Sequence, residues 1–276
     1  MWRLAREVPT TGLPAEGERV AVLGCGTSYY MAQAYAALRE SAGHGETDAW
    51  PASEFPAARR YDRVVALSRS GTTTEVLTAL SRVRPGVPTV AITAVPATPV
   101  GEAAGTVVSL DFADERSVVQ TRFATSALVY LRTHLGEDTT GLPALASRAL
   151  EAELPPELTA AEQLTFLGTG WTVGLANEAA LKLREAAQAW TESYRAMEYR
   201  HGPISVAAPG RVVWLLGPAP PGLVADLRAT GAHVETWPDD PLADLVRVHR
   251  LAEQRAIARG LDPDRPRNLD RSVILS

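Results

Sequence analysis

The sequence predicts an α/β protein built as two tandem lobes, each a parallel sheet with helices on both faces. Three observations carry that prediction. Short apolar runs alternate with helix-length segments, the first run of each half ends in a glycine turn that opens a helix, and the whole pattern recurs at a nearly constant offset. Parallel strands need crossover connections, and helical crossovers cover a sheet on both faces.

In the first half, Arg19 to Leu23 reads as a strand ending in Gly24, Cys25, Gly26, Thr27, Ser28, after which Tyr30 to Glu40 takes helical spacing. A second strand follows at Arg63 to Leu67, a helix at Thr74 to Val83 and a third strand at Thr89 to Thr93. The second half repeats this with a strand at Leu164 to Leu167, the turn Gly168 to Thr172 and a helix from Val173 to Trp190. Strands at Arg211 to Leu216 and His233 to Trp237 then flank a helix at Leu223 to Thr230. Leu23, Gly24, Gly26 and Ser28 match Leu167, Gly168, Gly170 and Thr172 without a gap, so an internal duplication is expected. The seam falls in the polar stretch Gly136 to Pro156, with a helix from Ala144 to Glu153, which gives lobes of 1–140 and 141–276.

Composition narrows the function. Of 276 residues, 46% are apolar and 21% charged, the balance of a globular chain with a real core, which excludes disorder, collagen and coiled coil. The formal charge is −5 and no basic run exceeds Arg59 and Arg60, so neither nucleic acid nor acidic membrane is an expected partner. A single cysteine, Cys25, leaves no intrachain disulfide, and no histidine pair has metal-ligand spacing, so no metal is expected. No signal-like or membrane-spanning apolar stretch is present, and a cytoplasmic protein is expected.

The two halves differ where it matters. The first carries Ser68, Arg69, Ser70, Gly71, Thr72, Thr73, Thr74 and Glu75 at the turn into a helix: five hydroxyls and an arginine. Unpaired amides at a helix N-terminus favour an anion, hydroxyls add donors without bulk, and Arg69 can add a charge-assisted bond, so a phosphate site is expected. Thr72 and Glu75 also fit a capping box, but capping needs one hydroxyl rather than five. At the equivalent turn the second half has Gly217, Pro218, Ala219, Pro220 and Pro221, with no hydroxyl. Thr27 and Ser28 lie at the C-terminal end of a parallel strand and are expected to face the same ligand. Both glycine turns lack the third glycine of a dinucleotide fingerprint, which argues against a nicotinamide, and no cofactor is expected.

What the second half contributes is its helix. Glu178, Lys182 and Glu185 share one face, and Glu192 extends the stripe. Lys182 is the only lysine among 27 basic residues, which marks a place for a compact, titratable amine rather than a guanidinium. His201 follows, in a loop stiffened by Gly202 and Pro203, and histidine is the usual proton carrier near neutrality. His44, His134, His233 and His249 lack such a setting.

Together, the turn Cys25 to Ser28, the loop Ser68 to Glu75, the helix Glu178 to Glu185, Arg200 to Pro203 and the tail Asp262 to Val273 resemble the sugar isomerase (SIS) domain family. Within it they are similar to the double-SIS isomerase half of glutamine-fructose-6-phosphate aminotransferases. The resemblance implies two flavodoxin-like lobes, each with a five-stranded parallel sheet, and a homodimer with a shared active site. It implies that Ser68, Ser70 and Thr73, with Thr27 and Ser28, bind the phosphate of a phosphorylated sugar. It also implies that Glu185 is the base moving a proton between C1 and C2, that His201 assists ring opening from the neighbouring subunit, and that Glu178 and Lys182 are further site residues. Three departures stand out. The terminal cysteine of a glutaminase domain is absent, Trp2 being residue 2, so no glutaminase activity is expected. Arg271 stands where that family has an imine-forming lysine, and a guanidinium does not form imines. Arg69 stands in place of a glutamine, which resembles stand-alone amino-sugar-phosphate deaminases. Two readings follow: a phosphosugar isomerase or isomerase-deaminase, or a non-catalytic phosphosugar sensor.

Overall fold

The computed structural model describes residues 1–275, which divide into two compact α/β units. The first is formed by residues 1–140 together with 268–275 of the tail, the second by residues 141–267.

In the first unit, α1 (Trp2–Glu7) precedes β1 (Val20–Gly24), α2 (Thr27–Ser41), β2 (Thr47–Pro51) and β3 (Arg63–Leu67). Next come α3 (Thr74–Ser81), β4 (Thr89–Thr93), α4 (Pro99–Ala103), β5 (Thr106–Ser109) and α5 (Arg122–His134). The five strands pair in parallel in the order β2-β1-β3-β4-β5. Every residue of β1 is buried, as expected for a central parallel strand covered on both faces. The strand order reverses between β1 and β3, and ligands of open α/β sheets collect beyond the carboxyl ends of strands at such a point. Those two ends lead into the turn Cys25 to Ser28 and the loop Ser68 to Thr73.

The second unit runs α6 (Leu142–Glu151), α7 (Pro156–Ala160), β6 (Gln163–Gly168), α8 (Thr172–Ala187), β7 (Trp190–Arg195), β8 (Arg211–Leu216), α9 (Leu223–Ala229), β9 (His233–Thr236) and α10 (Pro241–Ala258). Its sheet is parallel in the order β7-β6-β8-β9, the order of the first sheet without its last strand. The expectation of five strands therefore fails here. After β9 the chain turns at Asp240, whose side chain accepts from the Leu242 amide, straight into the long α10, and the residues beyond belong to the tail.

The matching turns are built alike. A Cβ on Gly24 would sit 2.6 Å from the Ser28 carbonyl carbon, and one on Gly168 would sit 2.3 Å from the Thr172 carbonyl oxygen. Only glycine lets strand and helix approach so closely in each copy.

Two further expectations change. Helix α8 ends at Ala187, where Gln188 takes the left-handed conformation (φ 50°), so Trp190 to Arg195 form a strand and Glu192 lies on β7 rather than on the helix stripe. The tail from residue 268 packs on the first unit, not the second. The Val273 carbonyl accepts from the Thr74 amide at 3.1 Å, and the Leu275 amide donates to Thr74 Oγ1 at 2.9 Å. Among the described residues, no helix is long and apolar enough to cross a membrane.

Candidate active site

Four segments of the first unit meet around the hydroxyl-rich loop: the β1–α2 turn, the β3–α3 loop, the stretch 114–121 before α5, and the tail. The loop is folded on its own hydroxyls. Ser68 Oγ accepts from the Gly71 amide at 3.2 Å, and Ser70 Oγ accepts from the Thr72 amide at 3.3 Å and from Thr72 Oγ1 at 3.2 Å. Gly71 allows this with φ +66°, and a Cβ there would collide with Thr98 Oγ1 at 1.9 Å. Thr73 is the N-cap of α3, yet no side chain caps the helix, so the Thr72 and Glu75 capping box does not form. The hydroxyls are thus not explained by capping. Thr72 Oγ1 also lies 3.0 Å from Ser272 Oγ of the tail, with Thr73 Oγ1 3.4 Å from the same oxygen. Ser28, on the first turn of α2, donates from Oγ to Gln120 Oε1 at 3.5 Å, while Thr27 beside it is buried.

Arg69 is engaged by neighbouring backbone. Its guanidinium is 1% exposed and donates to the carbonyls of Ser117 (2.8 Å), Val118 (3.0 Å) and Arg271 (3.0 Å), with Glu115 at 4.0 Å. It ties the loop to the 114–121 stretch and to the tail. Glu115 in turn accepts from the amides of Thr121, Arg122 and Phe123 and from Thr121 Oγ1, so a buried carboxylate sits at the positive end of α5. Arg271 reaches Asp114 and the Glu115 carbonyl. Cys25 lies in the β1–α2 turn. Burial first, then the nearby Glu75 charge, pushes its thiol up to about 11, so it is no nucleophile at neutral pH.

In the second unit, the face of α8 read from the sequence carries a buried chain of charges. Lys182 Nζ lies 3.2 Å from Glu178 Oε1 and 2.8 Å from Glu185 Oε2. The Glu178 and Lys182 side chains are 0% and 1% exposed, while that of Glu185 keeps 20%. Burial works against the Lys182 charge, but the Glu178 and Glu185 carboxylates outweigh it, and the ammonium is held above its usual pKa. It is protonated at neutral pH and cannot act as an amine nucleophile. Of the three, Glu185 is the member that reaches solvent.

His201 ends a 3-10 turn, Glu198–His201, and its side chain is exposed. The turn is anchored through its neighbours. Tyr199 is fully buried, and Arg200 donates to Asp226 (2.9 Å) and to the Pro221 carbonyl (2.8 Å). The sequence alone does not single out Gln120, Glu115 or Ser272, and it sets His249 aside. Of these, only His249 left a local signal, because it sits among Leu245, Val248 and Ala252 at helical spacing on the apolar face of α10. The structure sets its Nε2 3.8 Å from Glu178 Oε1.

Comparison with known proteins agrees with this architecture. Residues 15–133 match the SIS domain. The chain is 30% identical to a glutamine–fructose-6-phosphate aminotransferase (isomerizing) of Gloeobacter violaceus, over 96% of this chain and 53% of that protein. The chain spans about half the length of the curated relatives it matches. Among solved structures, glucosamine-6-phosphate deaminase of Thermotoga maritima superposes with a TM-score of 0.79 at 26% identity, covering 93% of this chain and 91% of the other. Tagatose-6-phosphate ketose/aldose isomerase of Escherichia coli shares the fold, with a TM-score of 0.76 at 17% identity over 93% of this chain and 85% of its own.

Proposed function

We propose that this chain, whose residues 15–133 match the SIS domain, is a phosphosugar aldose-ketose isomerase or isomerase-deaminase acting on a hexose or amino-sugar 6-phosphate. The observation that carries this reading is the buried Lys182 ammonium held between Glu178 and Glu185. Moving a proton between C1 and C2 of an open-chain sugar needs a carboxylate that can reach the substrate, and Glu185 is the partly exposed member of this chain. The hydroxyls of Thr27, Ser28, Ser68, Ser70 and Thr73 hold the phosphate and so fix the substrate in register. His201 opens the ring, acting from its exposed turn on substrate bound by a second copy of the chain. Arg69 supports the phosphate loop from behind rather than contacting the anion.

Imine chemistry has no place in this reading. Lys182, the only lysine of the sequence, is buried and protonated, and Arg271 carries no amine. The same fact favours a second reading, a sensor that binds a phosphosugar without converting it. Incubation with glucosamine 6-phosphate and with fructose 6-phosphate, following ammonia release and aldose-ketose exchange, separates the two. Turnover of either sugar supports the enzyme; binding of both without turnover leaves the sensor.

A further inference from the structure

We propose that His249 is a positioning residue for the charge chain on α8, donating a hydrogen bond from Nε2 to Glu178 Oε1. The functional part of this inference rests on Glu185 being the proton-moving base.

Helix α10 packs along α8, and His249 projects from it with only 11% of its side chain exposed. Its Nε2 is buried with no hydrogen-bond partner, and the Glu178 carboxylate lies 3.8 Å from it. Other charged groups on and around α10 are engaged elsewhere or exposed. Arg250 donates to the carbonyls of Ala149 and Ala152, Arg148 of α6 reaches Asp239, Arg211 of β8 bonds the Val206 carbonyl, and Glu157 of α7 and Glu253 of α10 are exposed. A buried nitrogen left unpaired is costly, and the Glu178 carboxylate is the neighbouring acceptor that would pair it at an ordinary bond length of about 2.9 Å.

The oxygen concerned is the decisive detail. Glu178 Oε1 faces both Lys182 Nζ, at 3.2 Å, and His249 Nε2, at 3.8 Å. The imidazole and the ammonium therefore compete for one atom. A donor from His249 weakens the pull of Glu178 on Lys182 and leaves the ammonium on Glu185. Without His249 the ammonium shifts toward Glu178 and the Glu185 carboxylate becomes easier to protonate.

The test has two arms. In the first, nitrogen-detected NMR of the full chain between pH 6 and 8, with His249 assigned by substitution, is expected to show a proton on Nε2. A neutral imidazole protonated on Nδ1 alone would overturn the proposal, because a lone pair would then face the carboxylate. This arm needs no substrate and stands even if neither sugar phosphate is turned over. In the second, His249→Leu is expected to move the acid limb of the kcat/KM profile up by about half a pH unit, a loss of roughly threefold on that limb, with KM unchanged. His249→Gln, which keeps a donor, restores the parent profile. An unmoved profile in an active, folded His249→Leu variant would remove the positioning role.

Discussion

The two lobes begin with the same strand, glycine turn and helix, yet they use the matching hydroxyl in opposite ways. In the second, Thr172 Oγ1 is closed on its own turn, accepting from the Thr169 amide at 2.8 Å and lying 3.0 Å from the Thr169 carbonyl. In the first, Ser28 Oγ turns to Gln120, a residue of a different segment. The next loops diverge further, Ser68 to Thr74 holding five hydroxyls where Gly217 to Pro221 hold none. A duplicated scaffold keeps its geometry where glycine packing demands it and diverges at the strand ends, where nothing in the fold requires a particular side chain. The proposed reaction assigns anion binding to the first lobe and proton transfer to α8 of the second.

The largest expected effect comes from exchanging those roles by mutation. Glu185→Gln keeps the shape and a contact for Lys182 but removes the base, and kcat is expected to fall by about a hundredfold or more with KM little changed. Ser68→Ala combined with Ser70→Ala is expected to do the reverse, raising KM for the sugar phosphate roughly tenfold to a hundredfold while kcat falls less. Steady-state kinetics on both variants checks the division. A double serine variant that lost kcat at unchanged KM would break it.

Much of this division is legible in the sequence because it rests on local signals. The strands β3, β4 and β8 are continuous apolar runs, and five hydroxyls at one turn need no tertiary knowledge to notice. What escaped was of two kinds. The strands β2, β5 and β7 are half-exposed edge or near-edge segments such as Thr47–Pro51, without the buried run or clean alternation that marks a strand. In β7 the polar residues also continued the helical spacing of α8. The partners of the site were the other omission: Ser272 meets Thr72 across 200 positions and Arg69 meets Arg271 across 202. Such pairs arise from the path of the tail, and neither propensity nor periodicity encodes them.

A smaller effect tests whether the lobes differ in their buried ionisable groups. In the first, burial, aided by His44 and Arg39, pushes His134 down to about 4. The folded state then binds fewer protons than the unfolded one between about pH 4 and 6.5, so stability from this group is present above 6.5 and is lost as pH falls toward 4. In the second, burial lifts the Asp244 carboxyl to about 7, against the pull of the Trp214 indole N–H and Arg247, with Glu235 and Asp239 adding to the rise. There the folded state binds more protons between 3.8 and about 7, so stability is lost as pH rises through that window. Amide exchange of β1 and β3, compared with β6 and β8 over pH 4 to 7, is expected to show opposite slopes. His134→Phe flattens the first and Asp244→Asn the second; a slope unchanged by its own substitution would show that the group does not set it.

The smallest effect concerns Arg271, at the position where the resembling family carries an imine-forming lysine. Its guanidinium is held by Asp114 and the Glu115 carbonyl, and both charged side chains are partly exposed, 35% for Arg271 and 42% for Asp114. Exposed pairs of this kind contribute about 0–1 kcal/mol, so Arg271→Lys is expected to change stability by no more than that, within a few degrees of Tm. It is also expected to gain no Schiff base. A lysine there inherits the Asp114 carboxylate, which keeps an ammonium charged and unreactive, and the tail stays fixed through the Arg69 bond to the backbone carbonyl of residue 271. Borohydride reduction in the presence of fructose 6-phosphate, followed by mass measurement, checks this directly. A covalent sugar adduct at residue 271 would show that the missing amine alone separates this tail from that of its relatives. Its absence would assign the difference to the way the first lobe holds its tail.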